Sequence, residues 1–176
     1  FYHFVDLPNC TVLANDLIQH GLKVGLKGTI ILASEGINST CSGPSDAIDS
    51  TIKLLKLNEK FKDIEVKYSY SEFCPFPKFK VKIKPEIVTF RQKGADPRDS
   101  VGQYVDPKEW NSLIEDPNVV LIDTRNDYEV KVGRFKGSIN PKTDDFTSFS
   151  KFVDKELMNK KNNKIAMYCT GGIRCE

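Results

Sequence analysis

The sequence predicts two mixed domains in tandem. The first is an α+β unit of split-βαβ, ferredoxin-like order, and the second is an α/β unit built on a parallel sheet. Three observations predict this. Residues 1–68 run through strand and helix patterns in the order β-α-β-β-α-β. Arg91–Gly102 is polar and carries Gly94, Pro97 and Gly102, which marks a linker. After Pro107 strands and helices alternate again, and the last apolar run, Ile165–Tyr168, leads straight into Cys169. The boundaries that follow are 1–90 for the first domain, 91–102 for the linker and 103–176 for the second domain.

In the first domain, the aromatic run Phe1–Val5 reads as a strand. Asn9 caps a helix through His20, with Leu13, Leu17 and Ile18 inward and Gly21 as its stop. Gly28–Ala33 is a buried strand, Glu35-Gly36-Ile37-Asn38 turns the chain, and Ser39–Ser42 returns. Pro44 and Ser45 open a second helix, with Ile48, Ile52 and Leu55 on one face. Ile64–Tyr68 alternates as a fourth strand. The stretch from Lys78 to Lys84 then alternates strictly. As a strand it puts Lys78, Lys80, Lys82 and Lys84 on one face and Phe79, Val81 and Ile83 on the other. Such lysines guard a sheet edge against aggregation, or track the phosphates of an RNA.

In the second domain, Pro107 opens a helix through Ile114, with Trp110 as a core or interface anchor. Val119–Ile122 is continuously apolar, as parallel strands are, and delivers Asp123 and Arg125 to its carboxyl end. Gly137–Pro141 is a short strand and turn. Phe146–Leu157 is helical, with Phe149, Phe152 and Val153 inward, and Ile165–Tyr168 is a buried strand.

Composition narrows the class. With 39% hydrophobic and 28% charged residues the chain is globular, and its apolar runs are too short to span a bilayer. The five cysteines, at 10, 41, 74, 169 and 175, have no framework spacing and suit a reducing cytoplasm. No Cys-x-x-Cys occurs and the histidines are His3 and His20, so no metal site is expected. A net charge of +2 gives no bulk electrostatic footprint for nucleic acid, so any RNA surface must be local.

The chemistry is concentrated at the end of the chain. In Cys169-Thr170-Gly171-Gly172-Ile173-Arg174 two glycines let the backbone curl around the thiol. Successive N–H groups in such a curl, from Thr170 to Arg174, form an anion-binding nest that favours the thiolate. Arg174 adds a fixed charge with a planar donor fork. Asp123 and Arg125 are secondary candidates, as a strand-end ion pair that positions the loop or as direct participants. Cys175 is placed to resolve an oxidised or persulfidated Cys169, or to pack as a small apolar residue.

Cys169–Arg174 resembles the active-site loop of rhodanese-like domains. Leu121–Arg125, Tyr128-Glu129 and Gly133–Asn140 are similar to the other landmarks of that fold. The longer string Tyr168–Glu176, with Phe1–Phe4 and Ser34–Asn38, resembles the rhodanese-related tRNA uridine hydroxylases over essentially the whole chain. The resemblance implies a ferredoxin-like domain followed by a rhodanese-like one. It also implies oxygen-dependent 5-hydroxylation of the wobble uridine, with molecular oxygen as co-substrate, the tRNA anticodon loop as partner and no other evident cofactor. The family's Gly-His pair is Gly133-Arg134 here, which argues against a histidine role at that position. In the rhodanese fold a helix follows the loop. The chain stops at Glu176, so the second domain is expected to be incomplete.

Two other classes compete with hydroxylation. The same loop chemistry permits a sulfurtransferase with a persulfide on Cys169. A cysteine phosphatase ranks last, because four residues, Thr170 to Ile173, separate the cysteine from the arginine where phosphatases place five.

Overall fold

The computed structural model describes residues 1–92, 94–158 and 163–176. The chain divides into two compact units, Phe1–Val88 and Thr89–Glu176. Lys93, within the expected linker, lies outside the described residues.

The first unit is a four-stranded sheet with two helices. Its elements are β1 (Tyr2–Phe4), α1 (Cys10–Lys23), β2 (Lys27–Ala33), β3 (Gly36–Ser42), α2 (Ser45–Lys56) and β4 (Phe79–Ile83). The sheet order is β1-β3-β2-β4. β3 runs antiparallel between β1 and β2, which is the split βαβ the sequence predicts. α1 and α2 bury Leu17 and Leu55 against Ile30, Leu32 and Ile37 of the sheet, with Phe61 closing the core. Each of these six side chains is at most 1% exposed.

Three local expectations are corrected. The fourth strand is β4, parallel to β2, and not Ile64–Tyr68. Of that expected strand Ile64 is buried, but Val66 is half-buried and Tyr68 is exposed, so its apolar face fades and no ladder forms. Gly21 does not stop α1. It lies inside the helix, where a Cβ would sit 2.2 Å from Cε1 of Phe79, so this glycine lets α1 lie against β4. The stop is Gly25, in the left-handed region at φ 77°, with Leu26 N donating to Gly21 O at 2.8 Å.

The expected turn at Glu35–Asn38 is also shifted. Ser34 and Glu35 make a two-residue turn, and Gly36–Asn38 belong to β3. Gly36 has φ 143°, and a Cβ there would meet the His3 carbonyl oxygen at 2.1 Å. The side chains flanking it form a latch. The Ile87 N–H donates to Glu35 Oε1 at 2.7 Å, and Asn38 Nδ2 donates to the Ile87 carbonyl at 2.9 Å. A segment outside the sheet thereby has both backbone groups satisfied.

The second unit contains α3 (Pro107–Glu115), β5 (Val119–Asp123), the single turn α4 (Asp127–Val130), α5 (Phe149–Phe152) and β6 (Lys164–Tyr168). Asp106 caps α3 by accepting from Lys108 N at 2.8 Å. The predicted helix from Phe146 to Leu157 begins as a 3-10 turn, passes through α5 and ends in a π turn. β5 and β6 pair in parallel, and Ile139 bridges the other side of β5. β6 is less buried than its apolar sequence predicts: Ala166 is covered, while Ile165 and Met167 point to its open face.

Candidate active site

β5 and β6 end side by side, so Thr124 and Cys169 leave the sheet at the same end. Thr124 is buried and fastens the two strand ends, its N–H and its Oγ1 both donating to the Tyr168 carbonyl at 3.0 Å. The chain then curls around Cys169. Gly172, at φ 102°, turns its N–H to the Cys169 sulfur at 2.9 Å. A 3-10 turn follows over Ile173–Cys175, closed by Cys175 N donating to Gly172 O at 2.8 Å.

The thiol of Cys169 is pulled down to about 5, first by the Cys175 thiol facing it and then by the N–H groups of Arg174, Gly172 and Gly171, against an opposing push from burial. Cys175 is pushed up by its charged neighbour and by burial, so Cys169 carries the negative charge. Cys175 Sγ also lies 3.5 Å from Thr124 Oγ1.

The Arg174 fork does not reach into open space. Its Nη1 and Nη2 donate to Glu129 Oε2 and Oε1 at 2.7 and 2.8 Å, a bidentate pair with both side chains mostly covered. Thr170 Oγ1 donates to Glu129 Oε1 at 2.7 Å, and Asn126 N to Glu129 Oε2 at 3.1 Å. With these donors around it the Glu129 carboxyl is held down at about 2. Glu129, on α4, therefore ties both ends of the cysteine loop to the segment after β5.

A second ion pair sits under the loop. Asp123 is fully buried. Its Oδ1 accepts from Arg125 N and Nε, and its Oδ2 accepts from Arg125 Nη2 and Tyr168 Oη, both at 2.7 Å. Arg125 Nη2 also donates to the Gly133 carbonyl at 2.6 Å. Tyr168 Oη accepts from Phe135 N at 3.2 Å and lies 3.0 Å from Ser138 Oγ. Phe135 meets Tyr168 edge-on at 4.8 Å between centroids, and Trp110 packs on both rings.

A pocket of about 360 Å³ opens beside the sulfur, lined by Arg125, Gly133, Arg134, Phe135, Tyr168, Cys169 and Thr170. Of the residues singled out in sequence, Asp123, Arg125, Cys169, the Thr170–Ile173 turn, Arg174 and Cys175 come together here. Lys78, Lys80, Lys82 and Lys84 belong to the first unit, where Lys80 and Lys82 are exposed along edge strand β4. Sequence reasoning gave no site role to Glu129, Tyr168 or Phe135. Asn126-x-x-Glu129 has capping-box spacing, a signal for the first, while Tyr168 is hidden in an apolar run.

Residues 1–87 match the profile of the UPF0176 acylphosphatase like domain, and residues 106–176 match that of the rhodanese-like domain. The chain is 48% identical over 177 residues to a Synechocystis sp. protein named tRNA uridine(34) hydroxylase. That alignment covers 100% of this chain and 63% of the relative, so the chain spans less than two thirds of the relative's length. The α+β then α/β organisation, the parallel pairing of β5 with β6 and the two domain matches agree. The chain belongs to the rhodanese-related family in which a UPF0176 acylphosphatase-like domain precedes a rhodanese-like domain.

Proposed function

We propose that the chain is the substrate-binding and catalytic part of an enzyme that hydroxylates C5 of the wobble uridine of tRNA, with Cys169 as its reactive thiolate. The observation that carries this is the charged sulfur of Cys169 at the edge of an aromatic, arginine-lined pocket. It stands in a chain 48% identical to a relative named for that reaction. A planar pyrimidine base suits a lining that sets the rings of Phe135 and Tyr168 beside the flat guanidinium groups of Arg125 and Arg134. Such a base must leave its stack to reach the sulfur.

In this reading the thiolate adds to C6 of the uracil ring. The S–C6 bond forms, and the π pair of the C5=C6 bond moves onto C5 in conjugation with the C4 carbonyl. C5 is then electron-rich enough to meet molecular oxygen. After oxygen is transferred to C5, loss of the C5 proton re-forms the C5=C6 bond, breaks the S–C6 bond and returns the thiolate. In sum uridine, oxygen, two electrons and two protons give 5-hydroxyuridine and water, so each turnover consumes an external two-electron reductant. The turn from Thr170 to Ile173 holds the anion, Arg174 and Cys175 stabilise it, and Asp123 and Arg125 brace the strand ends. The first domain, residues 1–90, presents Lys78, Lys80, Lys82 and Lys84 to the phosphates of the anticodon loop. A cytoplasmic location follows from the substrate; among the described residues no helix is long and apolar enough to cross a membrane.

The test is mass spectrometry of tRNA nucleosides from cells lacking the full-length protein, rescued with wild type or Cys169→Ser. The expected result is that 5-hydroxyuridine and its derivatives return with wild type alone. Dependence of 2-thiouridine instead of 5-hydroxyuridine would move the assignment to sulfur transfer by a Cys169 persulfide. A tRNA carrying 5-fluorouridine should trap the adduct at Cys169. An active enzyme that never forms it rules out the addition step.

A further inference from the structure

The first unit carries a second feature that neither its fold nor the chemistry at Cys169 uses. Between the 3-10 turn Glu59–Phe61 and β4, the chain exposes Tyr68 (59%), Tyr70 (93%) and Phe73 (78%) within six residues. Single exposed aromatics are ordinary on a protein surface, but three in one short segment mark a surface that something covers.

The segment is held at several points. Cys74 Sγ lies 3.4 Å from Ser42 Oγ, at the end of β3, and donates to the Phe76 carbonyl at 3.2 Å. Ser71 Oγ donates to the Phe73 carbonyl at 2.8 Å. Gly28 N, in β2, donates to the Lys78 carbonyl at 2.9 Å. These ties fix the aromatic segment to the sheet end where β2 begins and β3 finishes. The charge there is positive: Lys27 acts on Cys74, and Lys78 and Lys80 follow directly. Glu72 is the one carboxylate between Ser69 and Lys78.

We propose that Tyr70 and Phe73, together with the lysine face of β4, form a surface that binds single-stranded RNA, the rings stacking on unpaired bases and the lysines facing phosphates. Aromatic rings set in a basic strip are what sequence-tolerant single-strand binding requires, because every base offers a π face. A duplex keeps its bases stacked and cannot use the rings. A protein partner fits worse, since lysine is depleted where protein interfaces bury aromatics. The inference rests on the RNA substrate proposed above, but not on the reaction at Cys169.

The test is fluorescence anisotropy with a labelled anticodon stem-loop, a single strand of its loop sequence and a matched duplex, each at two salt concentrations. The chain should prefer the unpaired RNAs. Tyr70→Leu with Phe73→Leu should weaken single-strand binding roughly tenfold or more and leave its salt dependence unchanged. Lys80→Gln with Lys82→Gln should weaken binding and also flatten the salt dependence, by a slope of about 1. Both pairs are on the surface, and unchanged thermal melting will show that they fold. Phe73→Trp should retain binding, and its fluorescence should be quenched as RNA is added. Cys169→Ser should bind as wild type, so loss of hydroxylation and loss of this surface read out separately. The proposal is overturned if the leucine pair binds RNA like wild type, or if the duplex is preferred. It is equally overturned if the aromatic surface instead mediates self-association that the leucine pair abolishes.

Discussion

The two units are held together by different physics. Among the described residues, the largest fully buried side chains of the first unit are apolar: Leu17, Leu26, Ile30, Leu32, Ile37, Leu55, Phe61 and Ile87. In the second they are Ile122, Asp123 and Thr124, a hydrophobe beside a charged and a hydroxyl side chain. Burying apolar surface is favourable and undirected, so the first unit gains stability from volume and shape. Burying a carboxylate is favourable only when each lone pair finds a donor, and Asp123 has four such contacts. The second unit thus gives up part of an apolar core to hold the ends of β5 and β6 in one geometry. The two units therefore differ in how they respond to change.

Four experiments sharpen or break that contrast. The largest effect should come from the apolar core. Phe61→Ala should lower stability by about 3–5 kcal/mol in denaturant titration. Cys169 alkylation in the fraction still folded should proceed at the wild-type rate. A slowed Cys169 there would mean the units are not energetically separate.

Glu129→Gln should cost on the order of 3 kcal/mol, because it leaves Arg174 mostly covered beside a neutral amide. Its pH signature is distinctive. The folded-state carboxyl lies at about 2, below its ordinary value, so its contribution is present above pH 4.5 and lost as pH falls towards 2. Melting temperature measured from pH 6 to pH 2 should fall more steeply for wild type than for Glu129→Gln. Parallel curves would remove Glu129 from the stability of the loop.

A smaller effect is expected at the helix–sheet contact of the first unit. Gly21→Ala places a methyl group against the Phe79 ring and should cost about 1–3 kcal/mol. Adding Phe79→Leu should recover part of the loss, and a double-mutant cycle measures how much. Additive costs would show that Gly21 serves something other than this contact.

The smallest effect is a change in titration. Labelling by iodoacetamide, resolved by mass spectrometry, should show Cys169 reacting with a midpoint near pH 5, while burial raises Cys10 and Cys41 above the ordinary thiol range. Cys175→Ala should move the Cys169 midpoint upward, and Cys175→Ser, which keeps a donor, should move it less. No movement in either variant would leave the backbone N–H groups as the sole stabiliser.

The first unit was largely legible because period and burial coincide. Leu13, Leu17 and Ile18 follow helical spacing, and Gly28–Ala33 is apolar enough for a central strand. What misled was glycine, whose meaning depends on partners far away in sequence. Gly21 looks like a helix stop until Phe79 is packed on it, and Gly36 looks like a turn until the His3 carbonyl lies against it. Ile64–Tyr68 alternates like a strand, and local pattern cannot say that its apolar face fades after Ile64. At the site, the curl of backbone around Cys169 follows from Gly171-Gly172, although only Gly172 takes up a left-handed angle. Tyr168 could not be placed and Glu129 showed only its capping-box spacing, because hydrogen bonds across 45 residues of chain leave no periodic trace.

The two carboxylates have a further consequence, in charge selectivity. Arg174 faces Glu129 and Arg125 faces Asp123, so each of these two guanidinium groups is matched by a carboxylate. Counting Cys169 as thiolate and Arg134 as a cation, the groups around the pocket sum to zero. A small dianion such as thiosulfate or a phosphate monoester gains no net attraction from such a balance, while a neutral planar ring enters without opposing a field. The residues that brace the loop therefore also set the field around it, and under the function proposed above that balance suits a neutral base better than the anions that an unmatched arginine would draw in.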